Sequence, residues 1–305
     1  MRVKRRLIGF GPARPGGLWQ RHSRLSYNRT ALAGMTILAA APRCALRARP
    51  ENRLYPFIHL GPLTLGTYGL MVAVALVCAF FVMRADLARR SLAVDAESII
   101  GITGLAGLAG ARLYHLLESP RTFLANPWPL LFSTMGFAWF GAFLGGFVAL
   151  VLLARSRRIK VLLMLDVASP AAAIGYGVGR IGCLVSGDGD YGIPTSLPWG
   201  MSFPNGLVPT TERVHPTPIY ELLAAILIAY ILWRIAPRIL RRERPDGTVF
   251  ACYLMLSGLA RFLVEFIRIN PKLLLGLTNA QLASALCFIG GAIVLWRLPP
   301  GQHAR

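Results

Sequence analysis

The stretch VLLMLDVASPAAAIGYGVGR, residues 161–180, decides the fold. Up to Gly179 it carries a single charge, Asp166, and Arg180 closes the run. About 20 predominantly apolar residues suffice for a helix to cross the hydrocarbon core of a bilayer. Runs of the same kind lie at about 60–83, 98–117, 133–154, 217–236, 248–269 and 278–296. The chain has 305 residues, is 55% hydrophobic and 15% charged, and has a mean hydropathy of +0.54. A soluble domain would carry about 25% charged residues. The reading is an all-α polytopic membrane protein with about seven transmembrane helices. They form one continuous membrane domain over residues 55–297, with a short cytoplasmic tail at 298–305.

The loops test the count. Arg84, Arg89 and Arg90 follow the first run. Arg155, Arg157, Arg158 and Lys160 follow the third, and Arg238, Arg241, Arg242 and Arg244 the fifth. The alternate loops hold only Arg121, Arg213 and Lys272. Lys and Arg mark the cytoplasmic side. The alternation therefore puts the start of the first span outside and the C-terminus in the cytoplasm. The outer loop from about Gly182 to Val214 is rich in Gly, Pro and Asp, with room for a small periplasmic cap. Trp128 and Trp199 suit the headgroup region. Glycines at 101, 104, 107 and 110, and at 141, 145 and 146, give spans two and three small-residue faces for close packing.

The net charge is +20, but the basic residues sit in clusters between apolar runs, so membrane orientation accounts for most of them. No zinc-finger spacing, RNA-binding aromatic signature or helix-turn-helix pattern is present, and no nucleic acid partner is expected. The five cysteines form no CxxC pair and no disulfide framework. Residues 1–54 form a basic leader. Its first fifty residues hold eleven Lys or Arg and no acid. It reads as a disordered tail, a targeting segment or an over-extended start. The last is preferred, because the inferred topology would require those charges to be translocated.

Charges within the spans carry the functional signal. Arg112, Asp166, Arg180, Glu221, Arg261, Glu265 and Arg268 would each cost at least ~2.5 kcal/mol facing lipid at the bilayer centre. They are expected to face a protein interior or a wet cavity. Arg261, Glu265 and Arg268, spaced i, i+4, i+7, are read as one helix face. Part of the set can be an internal salt bridge, but these segments hold more arginine than carboxylate. Surplus guanidinium in a membrane-level cavity calls for an anion, and its planar fork matches phosphate. A phospholipid headgroup is the anion expected there.

Four strings are more specific: Tyr68-Gly69-Leu70-Met71; Gly179-Arg180-Ile181-Gly182-Cys183 with Asp188, Asp190, Tyr191 and Gly192 following; His215-Pro216-Thr217-Pro218-Ile219-Tyr220-Glu221; and Arg261-Phe262-Leu263-Val264-Glu265-Phe266-Ile267-Arg268. Their order and spacing resemble the prolipoprotein diacylglyceryl transferases of bacterial inner membranes, over about residues 55–297. The resemblance implies transfer of a diacylglyceryl group from phosphatidylglycerol to the lipobox cysteine of a prolipoprotein signal peptide. It implies no cofactor and no metal. By the same resemblance Arg180 and Arg261 are the catalytic arginines. Arg180, Tyr68, Gly192 and Arg268 would bind the lipid, and Glu265, Glu221 and His215 would support them. The chemistry agrees. The nucleophile belongs to the substrate, so no triad is needed, and the departing phosphate needs preorganised donors.

Two positions depart from the family pattern. A His-Gly-Gly string is usual in the third span, and here Trp139-Phe140-Gly141-Ala142 puts Phe140 in the histidine's place. The GRxG string usually continues with asparagine, and here it continues with Cys183. These departures keep open a non-catalytic paralogue that binds phospholipid or prolipoprotein. The charged cavity alone would also suit a transporter of lipid or anionic solute.

Overall fold

The computed structural model describes residues 55–299, apart from 62, 119, 126–127, 129–138, 241–243 and 275. The basic leader and the end of the tail lie outside the described residues. Among the described residues, seven long helices carry the fold. They are α1 (Thr67–Arg89), α2 (Ala96–Glu118), α4 (Trp139–Ser156), α5 (Val161–Ser186), α6 (Thr217–Leu240), α7 (Thr248–Val264) and α8 (Asn279–Arg297), with a short α3 (Pro120–Ala125) after α2. Six of them are long and apolar enough to cross a bilayer, and α4 is a shorter apolar helix whose expected first turns lie outside the described residues. The described residues also form three two-stranded antiparallel ribbons: β1 (Phe57–Leu60) with β2 (Leu63–Gly66), β3 (Met201–Phe203) with β4 (Thr210–Val214), and β5 (Lys272–Leu274) with β6 (Leu277–Thr278).

Several span boundaries differ from the sequence reading: α1 starts later and runs on to Arg89, α5 runs on to Ser186, and α7 stops at Val264. The first apolar run merges a ribbon with a helix. His59 pairs with Thr64 in β1–β2, and the helix begins only at Thr67, whose hydroxyl donates to the Pro56 carbonyl at 3.0 Å. The fourth span does not end at Arg180. Helix α5 runs on to Ser186 and stops where Gly187 enters the left-handed region at φ 58°, its N–H donating to the Cys183 carbonyl. Arg180 therefore projects from within a helix, a rigid mount for a charged side chain.

Small residues set the packing. The glycine faces predicted for α2 and α4 meet. A Cβ on Gly110 would overlap the Gly141 carbonyl, and one on Gly145 the Ala106 carbonyl. With no hydrophobic drive between helices in lipid, such close backbone approach is a main source of association. The buried core follows α1, α2, α4 and α5 through Met83, Ile99, Ala154, Met164 and Val167. A second cluster joins α5, α6 and α7 through Ala173, Leu232 and Val249.

At the end of α5 away from Arg180, roughly 21 Å along the axis at 1.5 Å per residue, fully buried Asp166 ties two helices together. Its carboxylate accepts from the Gly247 and Phe250 backbone N–H groups, both at 2.7 Å. It thereby caps α7 from another helix, where the N-terminal amides otherwise lack partners. Asp86, also fully buried, pairs with Arg89 and Arg90. The Arg89 guanidinium lies 4.0 Å over the Trp233 ring. Asp166 thus joins α5 to α7, and the Asp86–Arg89 pair with Trp233 joins α1 to α6.

Candidate active site

The opposite end of the bundle holds the second charge cluster, built outward from Arg180. Tyr176 precedes Arg180 by one turn of α5, so their side chains share a face. The guanidinium stacks 4.8 Å over the tyrosine ring, and the Tyr176 hydroxyl donates to Glu221 Oε1 at 2.5 Å. Glu221, one turn into α6, is buried and central. Arg268 Nη1 donates to its Oε2 at 3.2 Å. Arg180 Nη1 lies 3.6 Å and Arg261 Nε 3.7 Å from its oxygens. Glu265, also buried, pairs with Arg261 and accepts from Asn270 Nδ2 at 2.7 Å and Thr278 Oγ1 at 2.8 Å. Thr278 in turn forms a capping box with Gln281 at the start of α8.

The loop after α5 supplies the third acid. Asp190 takes Arg180 on one carboxylate oxygen and Arg268 on the other. Burial would raise its pKa, but the two guanidinium groups together hold it below its ordinary value. Its backbone is fixed too, since Thr217 Oγ1 donates to the Asp190 carbonyl at 2.6 Å.

Two sequence expectations are corrected here. Arginine is not in surplus, because Arg180, Arg261 and Arg268 are matched by Asp190, Glu221 and Glu265. The carboxylates come from three separate segments, which spacing within one span could not register. Nor do Arg261, Glu265 and Arg268 share one helix face. Helix α7 ends at Val264, Glu265–Ile267 form a 3-10 turn, and Arg268 is extended at φ −83°, ψ 155°. Arg261 and Glu265 keep their i, i+4 pairing, while Arg268 bridges to Gly192 in the cap.

Accessibility separates the arginines. The side chain of Arg268 is 6% exposed, those of Arg180 and Arg261 15% and 25%. The contacts of Arg180 to Asp190, Glu221 and Cys183 all run through Nη1. Among the described residues, its Nη2 and Nε make no hydrogen bond. A guanidinium has five N–H donors, so Arg180 and Arg261 are anchored and can still grip an anion. Arg112 is buried in α2.

The remaining predicted residues frame this cluster. Gly192 lies where nothing larger fits: an added Cβ would stand 2.5 Å from the Ile267 carbonyl and 2.9 Å from His215 Cβ. Its N–H donates to the His215 carbonyl at 2.9 Å, and the Ile193 N–H to the Ile267 carbonyl at 2.8 Å. His215 Nδ1 is 3.1 Å from the Tyr220 hydroxyl, which accepts from Trp199 Nε1 at 2.8 Å. Tyr68, half exposed on α1, packs its ring and Cα against Gly182. Phe140 stands on α4 with its ring 6.5 Å from Tyr114. Glu221 has a larger part than the sequence suggested, since it is the hub of the cluster. Asp190, Tyr176 and Thr278 are not among the residues the sequence assigned to the site. The one readable sign was the i, i+4 spacing of Tyr176 and Arg180.

Cys183, Asp188 and Asp190 bring one sulfur and two carboxylate oxygens within 4.8 Å of one another. Both Asp190 oxygens are already held by guanidinium groups, a poor setting for a cation.

Fold and site together define an integral membrane protein whose helical bundle carries a paired-charge, anion-competent cluster at one end. The family model of prolipoprotein diacylglyceryl transferase matches residues 56–297. The chain belongs to that family. It is 37% identical over 228 residues to a phosphatidylglycerol–prolipoprotein diacylglyceryl transferase of Geobacter sulfurreducens, covering 72% of this chain and 84% of the relative. It is 33% identical over 210 residues to one of Clostridium tetani, covering 67% and 81%. It is 32% identical over 262 residues to one of Bordetella avium, covering 81% and 95%.

Proposed function

We propose that this chain transfers the diacylglyceryl group of phosphatidylglycerol to the lipobox cysteine thiol of prolipoproteins, the first step of lipoprotein maturation. The observation that carries this is the half-open pair Arg180 and Arg261, each anchored by an acid, Asp190 and Glu265, and each with donors to spare. They clamp the phosphate. Arg268, sealed between Asp190 and Glu221, holds the frame. Tyr68 borders the lipid path on α1, and Gly192 lets the cap close over the end of α7. Glu265, Glu221 and His215 position the arginines and the cap.

The substrate sulfur attacks the glyceryl carbon that bears the phosphate ester. A carbon–sulfur bond forms and the carbon–oxygen bond breaks. Glycerol phosphate leaves with the bonding pair, and the clamp stabilises the charge that develops on its oxygen. The protein lies in the bacterial inner membrane, with the start of α1 and the β3–β4 cap outside and the C-terminus in the cytoplasm. The charge asymmetry of the loops supports this orientation.

The test is expression of the full chain in bacteria depleted of their own transferase. Processing of prolipoprotein and restored growth, both lost in Arg180→Ala and Arg261→Ala, are expected. A stably inserted chain that binds phosphatidylglycerol but processes nothing would favour the non-catalytic paralogue that Phe140 and Cys183 keep open.

A further inference from the structure

The attack releases a proton from the substrate thiol, and Phe140 has no group to take it. The acids of the site differ in how they are engaged. Asp190 is held by Arg180 and Arg268. Glu221 is held by Tyr176 and Arg268, with Arg180 and Arg261 close by. Glu265 is held by Arg261, Asn270 and Thr278. Asp188 alone of the four makes no ion pair with a guanidinium among the described residues. Its Oδ1 accepts from the Asp190 backbone N–H at 3.2 Å. A carboxylate oxygen of Asp188 lies within 4.8 Å of both Cys183 Sγ and an oxygen of Asp190, and Asp190 is itself bound to Arg180.

The loop that carries Asp188 is fixed. Gly187 at φ 58° and Gly189 at φ 94° turn the chain sharply on either side of it. The Val208 N–H donates to the Gly187 carbonyl at 2.8 Å, and the Leu207 N–H to the Ser186 carbonyl at 2.9 Å. Asp188 is partly exposed, so a substrate can reach it.

We infer that Asp188 is the catalytic base of this chain, accepting the proton of the lipobox thiol as the sulfur attacks the lipid held by Arg180. This inference rests on the transferase reading. The proton passes from sulfur to the Asp188 carboxylate while the carbon–sulfur bond forms. The glycerol phosphate departs, and Asp188 returns the proton to water or to the product phosphate. The placement suits a general base, because a carboxylate free of guanidinium, beside the arginine that grips the leaving group, puts base and electrophile within one substrate's reach. Burial, and then the charge of Asp190, raise the Asp188 pKa above the ordinary carboxylate value, which makes it a stronger base toward a thiol. The titratable and charged groups around it are Arg180 and Cys183 on α5, Asp190 and Tyr191 on its own loop, and Tyr68 on α1.

The experiment uses the full chain in proteoliposomes of phosphatidylglycerol. Two lipobox peptides are compared, one with cysteine and one with selenocysteine, which is ionised at neutral pH without help. The expected result for Asp188→Asn is a loss of about 100-fold or more with the cysteine peptide, in the range for removal of a general base. The selenocysteine peptide should restore the rate to within a few fold of wild type, with an unchanged KM for phosphatidylglycerol. Equal loss with both peptides would overturn the inference, since it would mark a structural role. So would an Asp188→Asn enzyme as fast as wild type on cysteine. A wild-type chain that modifies neither peptide would sink the transferase reading itself, and the inference with it.

Discussion

Asp190 stands between Arg180 and Arg268 with one carboxylate oxygen on each, and so joins the last turns of α5 to the residue that follows the 3-10 turn after α7. Replacing it with the isosteric amide removes the carboxylate between the two guanidinium groups and leaves Glu221 as the acid they share. We expect Asp190→Asn to lower transfer by at least about 10-fold, on the order of the 1–3 kcal/mol lost when a charged hydrogen-bond partner is removed. Transfer of labelled glyceryl lipid to a lipobox peptide measures it.

The same carboxylate sets an acid limit to stability. Its folded pKa is depressed below the ordinary 3.8, so its stabilising pairing is complete above that value and is lost as pH falls through the lower folded value. Thermal unfolding in detergent across the acid range should show wild type losing stability below about pH 4. The part of that loss due to Asp190 should be absent in Asp190→Asn.

Glu221 has an almost fully buried side chain and touches all three arginines. Glu221→Ala should be the most damaging single change to the bundle, costing about 3–5 kcal/mol, as expected when one partner of a buried ionic cluster is deleted. Glu221→Gln keeps one acceptor oxygen for Arg268 and turns an amide N–H toward the Tyr176 oxygen, so it should recover part of the stability while remaining poorly active. Melting temperature and specific activity, measured together, separate the two effects.

Gly192→Ala tests the closure of the cap. The added methyl would meet the Ile267 carbonyl at 2.5 Å, and both sides of that contact are backbone. The bridge to Arg268 must open. Activity should fall by about 100-fold, as expected when misplacement by about 1 Å disturbs a preorganised site. Insertion into the membrane, followed by protease protection, should be normal.

Asp166→Ala addresses the other end of the bundle. It removes the acceptor of the Gly247 and Phe250 amides and should cost about 1–2 kcal/mol as a lost helix cap. The melting temperature should drop while kcat at permissive temperature stays at the wild-type value. A fall in kcat without loss of stability would show that the two charged clusters communicate.

Much of this was legible in the sequence, and the failures have physical reasons. Hydropathy found the long helices, because a bilayer-spanning run is a strong one-dimensional signal. It misplaced the start of the first, because Leu60 to Leu65 in the β1–β2 ribbon is nearly as apolar as the helix that follows. The motifs delivered Arg180, Arg261, Glu221 and Glu265 to one place. The charge balance could not be read, since Asp190 belongs to a loop and meets Arg268 from 78 residues away. The end of α7 was missed because the i, i+4, i+7 pattern fits a continuing helix as well as the 3-10 turn that replaces it. Tyr176 looked like one more ring in an apolar span until its hydroxyl was seen on Glu221.

The link from Glu265 to Thr278, and through the capping box to α8, has a consequence for biosynthesis. A ribosome-bound chain that has inserted everything up to Arg268 possesses all three arginines, and Glu265 can pair with Arg261, but its second oxygen still lacks Asn270 and Thr278. The cluster becomes whole only when the last helix enters the membrane. A nascent chain, surrounded by its own lipid substrate from the moment it emerges, thus acquires its grip on phosphate as the closing act of its synthesis.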